Sequence, residues 1–173
     1  GSTVETLVTG VPQSLSIALD VNEGKRYWTD QALGNIRRAD LDGNNVEELI
    51  TGKFTTTGIA LDVNEEKMYY NELFGIERAD LNGSNIEDLI TGFSNRFSLT
   101  LDLNEGKMYW IDFNARHIRC ADLDGNNEET VVTGLGFGRY ITLDVNGEKM
   151  YWVDRGSILG SGLIRRADLD GGN

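Results

Sequence analysis

The sequence predicts an all-β protein built as a β-propeller, a set of four-stranded antiparallel sheets arranged as blades. Three observations carry this. A stretch of the form Lys-x-Tyr-aromatic-x-acid is written four times, at Lys25–Asp30, Lys67–Glu72, Lys107–Asp112 and Lys149–Asp154. Each copy sits in a repeat of about 42 residues, the length of one supersecondary unit in a repeat architecture. Within each repeat, short runs alternate apolar and polar residues with period two and end in Gly, Asn and Asp clusters, the pattern of short strands joined by turns.

The elements follow in order. Ser16-Ile17-Ala18-Leu19-Asp20 is the first strand of a repeat, matched at 58–62, 98–102 and 140–144. Ile17 and Leu19 fall on one face, Ala18 and Asp20 on the other. Ala18, Ala60, Thr100 and Thr142 share one position, and their small side chains suit an innermost strand where sheets converge. The turn Val21-Asn22-Glu23-Gly24 leads into the Tyr-Trp strand. Tyr27 and Trp28 point to opposite faces, so both faces of that sheet need apolar cover. The third strand runs from Ile36 to Asp40 and is echoed around Ile76, Ile118 and Ile164. Asp42-Gly43 makes a hairpin turn, since Gly tolerates positive φ, and residues 46–50 form the fourth strand. Four such strands make one propeller blade.

Spacing supports the same unit. Asp20 to Asp30 is ten residues, as are Asp62–Glu72, Asp102–Asp112 and Asp144–Asp154. Residues 3–10 match the outer strands at 46–52, 86–92 and 128–134, and the fourth repeat has none following it. The sequence therefore predicts that this N-terminal strand completes the last blade, which would remove exposed edges. Gly1-Ser2 reads as a cloning scar, and residues 3–173 as a single propeller of four repeats.

Length and composition narrow the function. The net charge of −12 disfavours nucleic acid and anionic membrane, which attract clustered Lys and Arg. No apolar run approaches the roughly 18 residues that span a bilayer. Proteins, neutral glycans and cations are the partners left. Cys120 is the single cysteine, so no internal disulfide forms. It takes the position of Arg38, Arg78 and Arg166, and an unpaired thiol on a half-exposed strand reads as incidental. His117, the single histidine, lies three residues away and points to the opposite face, so the two make no catalytic pair.

The loops joining first to second and third to fourth strands are nearly the same in every repeat. Those on the opposite face differ: 11–15, 54–57, 94–97 and 136–140, with 32–35, 73–74, 113–117 and 155–163. This variable face offers Phe54, Phe74, Phe97, Phe113, Phe137 and Tyr140 among Arg96, Arg116, Arg139 and Arg155, with His117 beside them. Aromatic and arginine side chains dominate binding hot spots, so this face is the candidate ligand site. The bland alternative is that several of the rings pack between blades.

The turn Asp40-Leu41-Asp42-Gly43-Asn44-Asn45 and its copies lack the length and the third ligand before Gly of an EF-hand loop. They read as hairpins, with weak calcium binding left open and no cofactor expected. Asp20, Asp62, Asp102 and Asp144 could ring the axis. Because the carboxylates follow the repeat and no nucleophile–base pair is visible, the chain reads as a non-enzyme.

Tyr27-Trp28-Thr29-Asp30, preceded by Ile17-Ala18-Leu19-Asp20 and followed by Ile36 and Asp40, resembles the YWTD (class B) repeats of the low-density lipoprotein receptor family. That resemblance spans essentially residues 3–173. It implies a propeller at the cell surface or outside the cell, acting as a binding or ligand-release platform. It further implies a structural role for Tyr27, Trp28 and Asp30, for Tyr69 and Glu72, for Tyr109, Trp110 and Asp112, and for Tyr151, Trp152 and Asp154, the motif acid tying blades together. Family rings normally hold six blades and are followed by a cysteine-rich module. Four repeats leave three arrangements open: a four-bladed ring, a piece of a larger ring, or two chains paired into an eight-bladed ring. The function expected is protein or glycan recognition through the variable face. The alternative is a structural repeat unit, engineered or excised, with no ligand of its own.

Overall fold

The computed structural model describes residues 4–92, 98–156 and 162–172, and it is all β. Gly1-Ser2 and the candidate residues Arg96 and Phe97 lie outside the described residues. Fifteen strands form among those described, in four antiparallel meanders. The first blade is β1 (Ser14–Asp20), β2 (Lys25–Asp30), β3 (Asn35–Asp40) and β4 (Glu47–Ile50). The second is β5 (Ile59–Asp62), β6 (Lys67–Glu72), β7 (Gly75–Asp80) and β8 (Glu87–Thr91). The third is β9 (Leu99–Asp102), β10 (Lys107–Asp112), β11 (His117–Asp122) and β12 (Glu129–Val132). The fourth has three strands, β13 (Gly138–Asp144), β14 (Lys149–Asp154) and β15 (Leu163–Asp168).

The register repeats from blade to blade. Tyr27 pairs with Ala18 and Arg38, Tyr69 with Ala60 and Arg78, Tyr109 with Thr100 and Cys120. β1 packs on β5, β5 on β9 and β9 on β13, so the first strand of each blade lies innermost, where the small residues at Ala18 and its counterparts belong.

The core lies between blades. Tyr27, Ile36 and Ile50 meet Ile59, Met68, Tyr70 and Ala79 of the next blade. Tyr69, Ile76 and Ile90 meet Leu99, Met108, Trp110 and Ala121, while Tyr109, Ile111 and Ile118 meet Ile141, Met150, Trp152 and Ala167. The motif Tyr of the first three blades therefore faces the following blade, and the residue after it in the last three faces the preceding one. Full burial of one such aliphatic or aromatic side chain stabilises by about 1.5–3 kcal/mol.

The outer hairpins are fixed by a polar device repeated four times. Lys25, Lys67 and Lys149 pair with Asp40, Asp80 and Asp168 across the ladder, and Lys107 with Asp122 at 3.2 Å. Asn45, Asn85 and Asn127 donate from Nδ2 to the second oxygens of Asp40, Asp80 and Asp122, each at 2.6 Å. These bonds hold the Asp40 and Asp80 carboxyls below the usual carboxylate range, the lysine contributing most. The acidic turns are hairpins whose carboxylates are engaged in the fold. Asp20, Asp62, Asp102 and Asp144 likewise cap their own turns, accepting from the amides of Glu23, Asn64 and Glu65, Asn104 and Glu105, and Gly147.

Two expectations need correction. Residues 4–11 join no ladder and do not complete the fourth blade. They lie along the first, where the Leu7 carbonyl approaches Gly43 and the Gly10 carbonyl accepts from Arg37 Nη1 at 3.4 Å. Cys120 is buried, not half-exposed. Arg38 and Arg78 at the same position carry their charge outward to the next blade's turn; a short neutral thiol stays in the interblade core.

Candidate functional site

In an antiparallel meander the loops after the second and fourth strands emerge at the same end of the sheet. The described variable loops after second and fourth strands therefore share one face of the propeller. The motif acids sit at that end, and two of them, Asp154 and Glu72, bond to the loop arriving from the preceding blade. Asp154 is fully buried and accepts from the amides of Gly136 at 3.0 Å, Phe137 at 2.9 Å and Gly156 at 3.0 Å. Two of those donors belong to the connection arriving from the third blade, so the carboxylate joins neighbouring blades. Burial alone would raise its pKa; the three amide bonds and the Arg165 charge outweigh that and hold it below the ordinary value. Glu72 does the same with one more methylene, accepting from the Phe54 amide at 2.9 Å. Asp30 and Asp112 accept from Leu33 at 3.3 Å and Ala115 at 3.0 Å, amides of their own turns.

Held by these carboxylates, several candidate side chains converge. Phe113 and Phe137 stack tilted, with ring centroids 5.8 Å apart. The Arg116 guanidinium lies 5.0 Å from the centroid of Phe137, a cation–π distance. Arg116 adopts φ of 61°, a left-handed conformation uncommon outside Gly. Its carbonyl accepts the Leu135 amide at 3.0 Å, anchoring the turn to the connection that carries Phe137.

Phe54 and Phe74 are 80% and 65% exposed, in the two loops that Glu72 joins. They do not pack between blades. Tyr140 and Arg155 are exposed, and His117 and Arg139 are half-buried on the same face. Tyr27, Tyr69, Tyr109, Trp28, Trp110 and Trp152 are buried, while Tyr151 at the open side of the fourth blade is half-buried.

Sequence reasoning missed two groups. In the second blade Glu77 takes the place of Arg37, Arg119 and Arg165 and Tyr70 the place of Trp. The Tyr70 hydroxyl donates to Glu77 at 2.7 Å and Lys53 Nζ pairs with the same carboxylate at 2.5 Å. In the first blade Trp28 instead carries Arg37 over its ring at 5.9 Å. The paired exchange, Trp with Arg against Tyr with Glu, was readable by aligning the repeats. Arg26, in the position of Met68, Met108 and Met150, is only 6% exposed, and Nε and Nη2 have no partner among the described residues.

Comparisons with known proteins extend the description. No protein-family model matches the sequence, and no curated protein matches it. Among solved structures, a chain of the nidogen/laminin complex is 27% identical with a TM-score of 0.77, over 87% of this chain and 64% of that one. A gluconolactonase from Xanthomonas campestris is 17% identical with a TM-score of 0.74, over 92% of this chain and 60% of its own. An auxiliary nutrient binding protein from Bacteroides thetaiotaomicron is 15% identical with a TM-score of 0.75, over 92% and 39%. The present chain thus spans less than two thirds of each. The reading of the sequence as a non-enzyme is corrected here. The same fold carries a lactonase, so blade geometry and repeat-following carboxylates do not exclude catalysis.

Proposed function

We propose that this chain is a binding propeller that recognises a protein ligand through its variable loop face, in an extracellular setting. The observation that carries the reading is the convergence of Phe113, Phe137 and Arg116 on one loop face with the exposed rings of Phe54 and Phe74. Large rings and a guanidinium, on loops bonded to the motif carboxylates, supply apolar contact area at low conformational cost. The likeness to a chain of a protein–protein complex, and the resemblance to YWTD repeats, support a protein ligand and a location outside the cell.

A peptide phage-display selection against the immobilised chain tests this. Enriched peptides are expected to lose about tenfold or more in affinity for Phe74→Ala and Arg116→Ala, a change of at least about 1.4 kcal/mol. Both substitutions are expected to leave unfolding within about 0.5 kcal/mol, as surface changes do. Peptides that bind both variants as tightly as the parent would place recognition elsewhere and sink the proposal.

A further inference from the structure

The end blades differ from the inner pair in having one uncovered face each. Ile164 is 83% exposed, whereas Ile36, Ile76 and Ile118 at the same register are 0%. At the other end Ile17 is 64% exposed, against 5% for Ile59 and 7% for Leu99. A cavity of about 360 Å³ opens over that second face, lined by Val8, Val11, Leu15, Ile17, Arg26 and Trp28.

The segment 4–10 borders the cavity through Val8. A Cβ on Gly43 would meet the Leu7 carbonyl at 2.4 Å, as one on Gly83 would meet that of Leu49 at 2.4 Å and one on Gly125 that of Leu89 at 2.7 Å. Leu49 and Leu89 lie in the outer strands of preceding blades. Leu7 therefore occupies an outer-strand site with no blade beside it among the described residues, and β15 likewise has no outer strand beside it there.

We propose that a second copy of this chain fills both gaps. The fourth blade of one copy docks on the first blade of its partner, residues 4–10 of the partner pair with β15, and two identical junctions close a ring of eight blades. A head-to-tail contact of this kind leaves no free edge when its rotation closes.

The existing interfaces specify the new one. Ile36 pairs with Ile50, Arg37 with Glu48 and Arg38 with Glu47. The same register sets Ile164 against the partner's Val8, Arg165 against the partner's Thr6 and Arg166 against the partner's Glu5. Arg38 and Arg78 donate to the carbonyls of Leu81 and Leu123 in the next blade, at 3.3 and 3.1 Å. Arg166, exposed here, is placed to do so to the partner's Leu41. Tyr151 and Ile164 would enter the cavity over the partner's Ile17 and Trp28, as Tyr27 and Ile36 pack on Ile59 and Tyr70. Arg26, whose Nε and Nη2 have no partner among the described residues, lines that cavity and meets the incoming Tyr151.

Light scattering on the eluting full chain should give about 38 kDa, twice the 19.2 kDa of one copy. Ile164→Asp, at a site exposed within one copy, should halve that mass with an unchanged circular dichroism spectrum. Thr6→Cys and Arg165→Cys, made in separate chains, mixed and oxidised, should yield a disulfide-linked pair holding one of each; Cys120 is buried and does not compete. A 19.2 kDa parent overturns the proposal, as does a ladder of species beyond two copies, which would show a junction that does not close. A 38 kDa species without the mixed cross-link overturns the interface.

Discussion

Removing the Asp154 carboxylate should cost far more than removing Asp30, although both are the motif acid and both are fully buried. Asp154 accepts three backbone amides at 2.9–3.0 Å, while Asp30 accepts one, from Leu33 at 3.3 Å, and its Oδ2 has no partner among the described residues. A buried donor left without an acceptor costs about 1–3 kcal/mol. Gly136 and Phe137 are half-buried, so water can reach part of the vacated site, and we take about 3 kcal/mol for Asp154→Ala. Asp30→Ala loses one long bond, about 1 kcal/mol or less. The two changes delete the same atoms, so differences in side-chain chemistry cancel. With a urea slope near 2 kcal/mol per M, the unfolding midpoint should fall by about 1.5 M for Asp154→Ala and by about 0.5 M or less for Asp30→Ala. Tryptophan fluorescence would follow both. Equal shifts would refute the view that the motif acid stabilises through the amides it reaches.

Two further predictions concern titration and reactivity. Because the folded pKa of Asp154 is held below its ordinary value, its contribution is complete above the unfolded pKa and lost as pH falls through the lowered value. Melting temperature should therefore drop from about pH 4 downward, and Asp154→Asn should flatten that fall; an identical slope in the variant would show that other groups govern it. Burial, aided by the Glu129 carboxylate 3.3 Å away, pushes the Cys120 thiol up to about 12. Ellman's reagent at pH 8 should leave the native chain unlabelled and release one equivalent in urea. Immediate stoichiometric labelling of native protein would contradict the burial.

The strand pattern was legible because each blade is a local meander. The Lys-x-Tyr-aromatic-x-acid stretch coincides with β2, β6, β10 and β14, and Asp42-Gly43 makes the turn its chemistry demands. What crossed between repeats was less visible. Residues 4–10 carry an outer-strand pattern, but a pattern does not say which sheet a strand joins, and the segment lies along the first blade. Cys120 was misread because strand alternation does not show which face meets a neighbouring blade; at the same position Arg38 and Arg78 are half-buried and reach carbonyls of the next turn. Among the site residues, the separate loops of Phe113 and Phe137 gave no hint that the rings touch. Nor did the sequence reveal that Arg116 takes a left-handed backbone to lie over one of them.

The glycine of each outer hairpin turn stands against a backbone carbonyl of the segment before it, Gly43 on Leu7 and, in outer strands, Gly83 on Leu49, Gly125 on Leu89 and Gly171 on Val131. Main chain, not side-chain volume, thus gauges the spacing between neighbours at the rim. Side chains between blades can then differ from repeat to repeat, as Arg26 does from Met68, Met108 and Met150 and Cys120 from Arg38, Arg78 and Arg166, while the gauge stays set. A unit gained or lost by gene duplication would arrive already spaced, which makes the blade, rather than the ring, the piece that evolution can count in.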